Sequence, residues 1–105
     1  MDDNTNADFM QDIRELAKQI KKITKEAVSL IEPQVNKVIR NKIKDNNQIE
    51  LLLDRLLDYA GMDDDGLILF KRLCRYYYEL NPKVTAEYIY FYRDLYDSDA
   101  IEDEN

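Results

Sequence analysis

The stretch from residue 45 to residue 61, DNNQIELLLDRLLDYAG, decides the fold of this 105-residue chain. Its apolar residues recur at helical spacing, and they are Ile49, Leu52, Leu53, Leu56, Leu57 and Ala60. That period places them on one face of a helix, which must pack against other helices to leave water. Asp45, Asn46 and Asn47 form a turn and cap signal, and Gly61 is a typical residue just beyond a last turn.

Two further helices follow this stretch. Asp63 and the two aspartates after it predict a cap and first-turn acids for a helix of about residues 64–80. Asn81 and Pro82 then predict the end of that helix and the start of a last one, which runs to about Tyr96 or Asp97. The spacing within the last helix predicts a buried seam of Val84, Tyr88, Phe91 and Leu95.

A long helix precedes the opening stretch and starts near Ala7 or Asp8. Its apolar positions alternate in steps of four and three, as Phe9, Ile13, Leu16, Ile20, Ile23, Ala27 and Leu30. Such a heptad seam predicts that the helix packs against the other helices of the chain. Pro33 removes one helical hydrogen bond, so we predict that the helix is kinked or broken near Pro33.

Together these patterns predict an all-α fold, a compact bundle of four to five helices. Residues 1–97 form a single helical domain in this interpretation, and residues 98–105 form an acidic disordered tail. The acidic N-terminus is unlike a secretory signal, and no stretch approaches the roughly 20 apolar residues of a membrane span. With one cysteine, Cys74, we expect a cytoplasmic protein without a membrane partner.

The residue types argue against enzyme chemistry. The chain has no histidine and two glycines, Gly61 and Gly66, so it lacks a histidine base and a glycine-rich phosphate loop. An EF-hand loop with Gly66 at its sixth position would need ligands where Gly61 and Arg72 stand. Cys74 lies in an apolar arc, where a cysteine behaves as a small hydrophobe. We expect no enzyme activity, no metal and no cofactor.

Glu50, Asp54 and Asp58 recur every four residues and form an acid stripe on the helix of residues 49–60. The simplest interpretation of the acid stripe is ion pairing with the lysines of the first helix. Each exposed pair of that kind contributes only about 0–1 kcal/mol.

Seven of the eight tyrosines fall between Tyr76 and Tyr96, and they supply the main functional hypothesis. Helical projection predicts that Tyr77 and Tyr88 are core residues, and that Tyr90 alone faces away from the apolar seam. A tyrosine at a boundary keeps a polar tip in water and suits a protein interface. The candidate interaction surface consists of Tyr78, Tyr90, Tyr92, Asp94 and Tyr96.

Charge is divided unevenly along the chain, whose net charge is −7. Residues 1–44 hold nine basic and seven acidic residues, whereas residues 45–105 hold six and fifteen. The first helix carries a candidate basic face of Lys18, Lys21, Lys22 and Lys25. Nucleic-acid binders usually have a strongly basic domain, so we expect nucleic acid to be an unlikely partner.

We therefore expect a non-enzymatic protein-interaction module that binds another protein or itself. Its abundant Asn, Lys, Ile and Tyr belong to AT-rich codon families, which suggests an accessory or regulatory protein of a low-GC bacterium, phage or mobile element. Two alternatives stay open. One is nucleic-acid contact through the basic face of the first helix, and the other is an acidic mimic that occupies a nucleic-acid-binding protein.

Overall fold

Four helices make up the described part of the chain. The computed structural model describes the backbone of residues 2–96 and the side chains of residues 7–96. The helices are α1 (Asp2–Arg40), α2 (Asn46–Ala60), α3 (Asp64–Leu80) and α4 (Pro82–Tyr96). The all-α class and the count of four are confirmed, and no strand occurs among these residues. The predicted tail at residues 98–105 lies outside the described residues.

The core lies between α2 and α3 and is closed by α4 and the C-terminal half of α1. The apolar face predicted for α2 is the buried one, with Ile49, Leu53 and Leu56 fully enclosed. From α3, Leu73 and Tyr77 fill the space opposite. Each side chain of this size that leaves water stabilises the fold by about 1.5–3 kcal/mol.

All three predicted helix starts are capped. The Asp45 carboxylate accepts from the backbone N–H groups of Asn47 and Gln48, and the Asp63 carboxylate accepts from that of Gly66 at 2.9 Å. The Asn81 side chain accepts from the N–H of Val84. A cap of this kind contributes about 1 kcal/mol, so these residues fix where α2, α3 and α4 begin.

The predicted kink or break near Pro33 is wrong, because α1 is continuous from Asp2 to Arg40. Pro33 lies on the exposed side of α1, where its missing hydrogen bond costs no core contact. On the opposite side, Val28, Ile31, Val35 and Val38 are all buried in one stripe that spans the proline. Packing along that stripe holds the helix together on both sides of Pro33.

The predicted packing of the α1 seam is also wrong. The residues of α1 that face the core are Thr24, Val28, Ile31, Val35 and Val38. The heptad seam is instead open to solvent, where Ile23 is 63% and Leu30 is 72% exposed. Beside the bundle the reason is orientation, because the buried stripe lies roughly a right angle around the helix from the seam. Beyond the bundle the reason is length, since α1 has 39 residues and the other helices have 15 to 17. At 1.5 Å per residue α1 spans about 58 Å, which is more than twice what α2 spans.

The chain is therefore compact only around the C-terminal half of α1. Its extents are 61 × 38 × 18 Å, and its radius of gyration is 17.6 Å. A compact chain of this length has a radius of gyration of about 13 Å. Residues 7–23 are exposed along their whole length and form an arm that projects from the bundle.

The end of α1 is closed by a left-handed residue that is not glycine. Lys42 has φ of 53°, its N–H donates to the carbonyl of Ile39, and the N–H of Ile43 donates to the carbonyl of Val38. These are the two hydrogen bonds of a Schellman motif, in which glycine usually takes the left-handed position. A side chain in that conformation costs about 1–2 kcal/mol, so Lys42 is a point of stored strain.

We expect Lys42→Gly to stabilise the fold by about 1 kcal/mol, because glycine adopts positive φ without a steric penalty. Urea unfolding followed by far-ultraviolet circular dichroism measures the change. Lys42→Ala is the matched control, since it removes the same charge and retains a Cβ. Equal effects of the two substitutions would show that the charge, rather than the backbone, sets the difference.

Candidate functional site

The acid stripe of α2 holds tyrosine hydroxyls rather than lysines. Tyr77 Oη donates to the Glu50 carboxylate, and Tyr88 Oη donates to Asp54 Oδ1 at 2.7 Å. At the third position, Tyr96 Oη donates to the Asp58 backbone carbonyl at 3.3 Å. The predicted pairing with the lysine face is therefore wrong.

Burial explains why these tyrosines need strong acceptors. Tyr77 and Tyr88 are buried, as predicted, and a buried phenol requires a partner for its hydroxyl. Burial, and then the hydrogen bond to Glu50, raise the pKa of Tyr77 to about 12. Burial, followed by the hydrogen bond to Asp54, also raises the pKa of Tyr88. Both phenols are therefore neutral donors at physiological pH.

The seam predicted for α4 is rotated in the structure. Thr85 and Tyr88 are buried and Tyr92 is half-buried, whereas Phe91 and Leu95 are exposed. Tyr88 is bonded to α2, and the ring centroid of Tyr92 lies 5.9 Å from that of Phe70 on α3. These contacts set the rotation of α4. The buried Thr85 hydroxyl donates to the Asn81 carbonyl, so its burial leaves no hydrogen-bond donor without a partner.

Tyr96 and Gly61 meet at one end of the bundle. Gly61 follows α2 as predicted, but its φ of −84° is one that any residue adopts. A Cβ at this position would overlap the ring of Tyr96. Gly61 is therefore required for the close approach of Tyr96, not for a left-handed cap.

The candidate interaction surface is divided between two places. Tyr90 is exposed on the outer side of α4, as predicted, and Asp94 is exposed one turn further along. Tyr78 and Tyr92 instead line a groove between α3 and α4. Tyr96 packs against Tyr92, with ring centroids 5.6 Å apart.

A groove with a volume of about 490 Å³ lies between α3 and α4. Buried Phe70, Cys74 and Thr85 form its floor. The remaining lining residues are Leu67, Lys71, Arg75, Tyr78, Glu79, Ile89, Tyr92 and Arg93. Three cations and one carboxylate thus surround an apolar and aromatic interior.

The sequence interpretation missed the cationic residues of this groove. Lys71 and Arg75 lie four residues apart, so they share one side of α3, and Arg93 is contributed by α4. The available signal was their helical spacing beside Tyr78. Summing charge over long segments concealed it, because residues 45–105 are acidic as a whole.

Cys74 lies in the floor of the groove, and burial disfavours its reactive thiolate form. Burial raises the pKa of the Cys74 thiol to about 12. Only the thiolate attacks an electrophile or binds a metal strongly, so Cys74 acts here as an apolar contact. Among the described side chains, no group of three or more Cys, Asp or Glu residues is placed to hold a metal ion.

The candidate basic face lies on the outside of the α1 arm. Lys18, Lys21, Lys22 and Lys25 are exposed and adjacent along one side of the helix. Lys25 Nζ lies 3.3 Å from Asp63 Oδ1, so this lysine also supports the cap of α3. Lys18 Nζ lies 3.9 Å from Glu15 Oε1, an exposed pair that contributes little.

None of the helices in residues 2–96 combines the length and the apolar character that a membrane crossing requires. No protein-family model matches the chain, and no match was found among curated proteins or among solved structures.

We expect the stability of the fold to decrease in alkali. Cys74, Tyr77 and Tyr88 have raised pKa values in the fold, so the unfolded chain loses these protons first. These three groups contribute fully to the stability of the fold below the pKa values of the unfolded chain, about 8.5 for Cys and 10 for Tyr. It is lost as the pH rises through about 12, the folded pKa of Tyr77 and of Cys74.

Tyrosinate absorbance and urea unfolding between neutral pH and pH 12 measure this loss. Tyr77→Phe should remove part of the tyrosinate absorbance that appears at the highest pH. Cys74→Ala removes the thiol, so its urea unfolding shows how much of the stability loss in alkali is due to the thiol. A phenolate signal complete near the ordinary tyrosine pKa would contradict the buried hydroxyl bonds.

Proposed function

We propose that this chain is a non-enzymatic module that binds another protein through the groove between α3 and α4. The observation that carries the proposal is the lining of that groove. An apolar interior with two tyrosines is bordered by Lys71, Arg75 and Arg93 in a chain of net charge −7. Its volume of about 490 Å³ is in the range of specific binding sites.

The rim charge favours an acidic, amphipathic segment of a partner. Tyrosine and arginine are the residue types that contribute most to protein interfaces, and Tyr78 and Arg75 supply both at the opening of the groove. The overall negative charge repels acidic partners at long range, whereas the local cations attract them at contact. The groove therefore selects segments that place carboxylates beside apolar side chains.

The floor favours apolar contact over recognition of a small polar metabolite. The Thr85 hydroxyl donates to the Asn81 carbonyl, and the protonated Cys74 thiol is a weak hydrogen-bond donor. Phe70 and Leu67 add apolar surface. A site that orients a polar metabolite needs several converging polar groups, and here the charged groups lie at the rim instead.

The composition supports a role as an accessory or regulatory protein in the cytoplasm of a low-GC bacterium, or in its phages or mobile elements. The exposed lysines of the α1 arm support a second candidate, nucleic-acid contact. Binding of that kind would weaken steeply with salt and with charge reversal at Lys21 and Lys22. The net charge of −7 weighs against nucleic-acid contact. The same charge suits the other alternative, an acidic mimic of nucleic acid.

Selection from a random peptide display library tests the groove. We expect the selected peptides to combine Asp or Glu with apolar residues at helical spacing. Tyr78→Ala and Arg75→Glu should each weaken their binding by about tenfold or more, because each removes a central contact worth more than 1 kcal/mol. Isothermal titration calorimetry with one selected peptide measures the change.

Tyr90→Ala is the matched control, because Tyr90 is 61% exposed and Tyr78 is 58% exposed, yet only Tyr78 lines the groove. Its affinity for the peptide should equal that of the unaltered chain. Loss of binding in Tyr90→Ala but not in Tyr78→Ala would move the interaction to the outer side of α4. Selection of basic peptides would contradict the assigned charge preference.

A further inference from the structure

The exposed seam of α1 is a second surface, independent of the groove. Within the described part of the chain, its large apolar residues are 44–72% exposed, and they are Phe9, Ile13, Leu16, Ile20, Ile23 and Leu30, with exposed Met10 at the edge of the seam. The seam stays open even beside the bundle, since Leu30 is the most exposed of them. An apolar surface of this extent on a soluble helix marks a contact with another molecule.

We infer that this seam is covered by the α1 helix of a second copy, in a parallel two-stranded coiled coil. The heptad register places Ile13, Ile20 and Ala27 at a positions. Phe9, Leu16, Ile23 and Leu30 then occupy d positions. Isoleucine at a with leucine at d favours two strands in parallel coiled coils, and Ile13, Leu16, Ile20 and Leu30 follow that pattern.

The bundle leaves room for this partner. The residues of α1 that are buried in the bundle are Thr24, Val28, Ile31, Val35 and Val38, which are e and b positions of the same register. At 100° per residue the middle of that stripe lies roughly a right angle from the a and d seam. Two parallel copies therefore carry their bundles on opposite sides of the coiled coil.

The flanking charges favour the parallel orientation. In a parallel pair, Asp12 at a g position lies opposite Ala17 at an e position of the second copy, so like charges do not meet. In an antiparallel pair that brings Ile13 beside Ile23, Asp12 would lie near Glu26 of the other copy, twice per dimer. Like charges across a helical interface are destabilising.

The area available is enough for a specific dimer. Seven large apolar side chains, each about half exposed, offer on the order of 600 Å² per copy. Specific interfaces bury roughly 600–1,000 Å² per partner, so the seam reaches this range before its flanking residues are counted. The seam extends over residues 9–30, a length of about 33 Å.

The width of the seam argues for a second copy rather than a lipid surface. Apart from Met10, its large exposed residues occupy only a and d positions of one register, and such a narrow stripe is typical of a coiled coil. The basic face of Lys18, Lys21, Lys22 and Lys25 occupies f, b and c positions, so it forms the solvated outside of that coiled coil.

Sedimentation equilibrium of the full chain across a dilution series tests the inference. We expect a dimer for the unaltered chain, and a shift of the association midpoint by at least about tenfold for Leu16→Glu with Ile20→Glu. Gln11→Glu with Ser29→Glu adds the same charge at exposed f and c positions and should leave the dimer unchanged. Because the altered residues lie outside the core, circular dichroism should show folded chains throughout.

Ile13→Cys tests the orientation. A parallel pair places the two residues 13 side by side, so mild oxidation should link the copies, whereas Gln11→Cys on the outside should not link them. The unaltered chain should stay unlinked because Cys74 is buried. Linkage that requires Cys at both 13 and 23 would overturn the parallel arrangement.

Two other results would overturn the second copy as the occupant. One is a monomer at every concentration. The other is a monomer that binds phosphatidylserine vesicles and loses that binding in Leu16→Glu with Ile20→Glu. Loss of peptide binding at the groove leaves the dimer unaffected, so failure of this inference and failure of the proposed function are distinguishable.

Discussion

The carboxylates of Glu50 and Asp54 are the acceptors on which the arrangement of α3 and α4 depends. Each accepts from the hydroxyl of a buried tyrosine, Tyr77 on α3 and Tyr88 on α4. A hydrogen bond to a charged acceptor contributes about 1.5–3 kcal/mol, and leaving a buried hydroxyl without a partner costs a similar amount. The two bonds therefore fix both helices against α2 in position and in rotation.

The groove is a product of that rotation. With Tyr88 directed at α2, Thr85 and Tyr92 turn toward α3, and Phe91 and Leu95 turn outward. A rotation that buried Phe91 and Leu95 would carry Tyr92 away from Phe70, whose ring centroid lies 5.9 Å from its own. The hydrogen bonds of Tyr77 and Tyr88 at the edge of the core thus determine the shape of the apolar groove on another face of α4.

Sequence periodicity predicted the four helices, their three caps and the buried face of α2. It also placed Tyr77 and Tyr88 in the core and Tyr90 at the surface. It misplaced the α1 seam, because a 3.6-residue period reveals an apolar face without revealing what covers it. It misplaced the α4 seam because tyrosine has an apolar body and a polar tip, so a tyrosine fits the core and its edge alike. It missed the partners of the acid stripe because the hydrogen bonds of tyrosine hydroxyls depend on tertiary neighbours. The prediction of a kink or break near Pro33 is wrong because local propensity omits the packing of Val28 to Val38 on the opposite side of the helix.

The continuous course of α1 through Pro33 has a mechanical consequence. An uninterrupted helix bends only gently over this length, unlike a glycine- and serine-rich linker, whose ends fluctuate independently. One continuous helix thus joins the arm to the bundle, and the number of helical residues sets the distance between the arm and the groove. A molecule bound at the arm would therefore lie at a defined spacing and angle from a molecule bound in the groove.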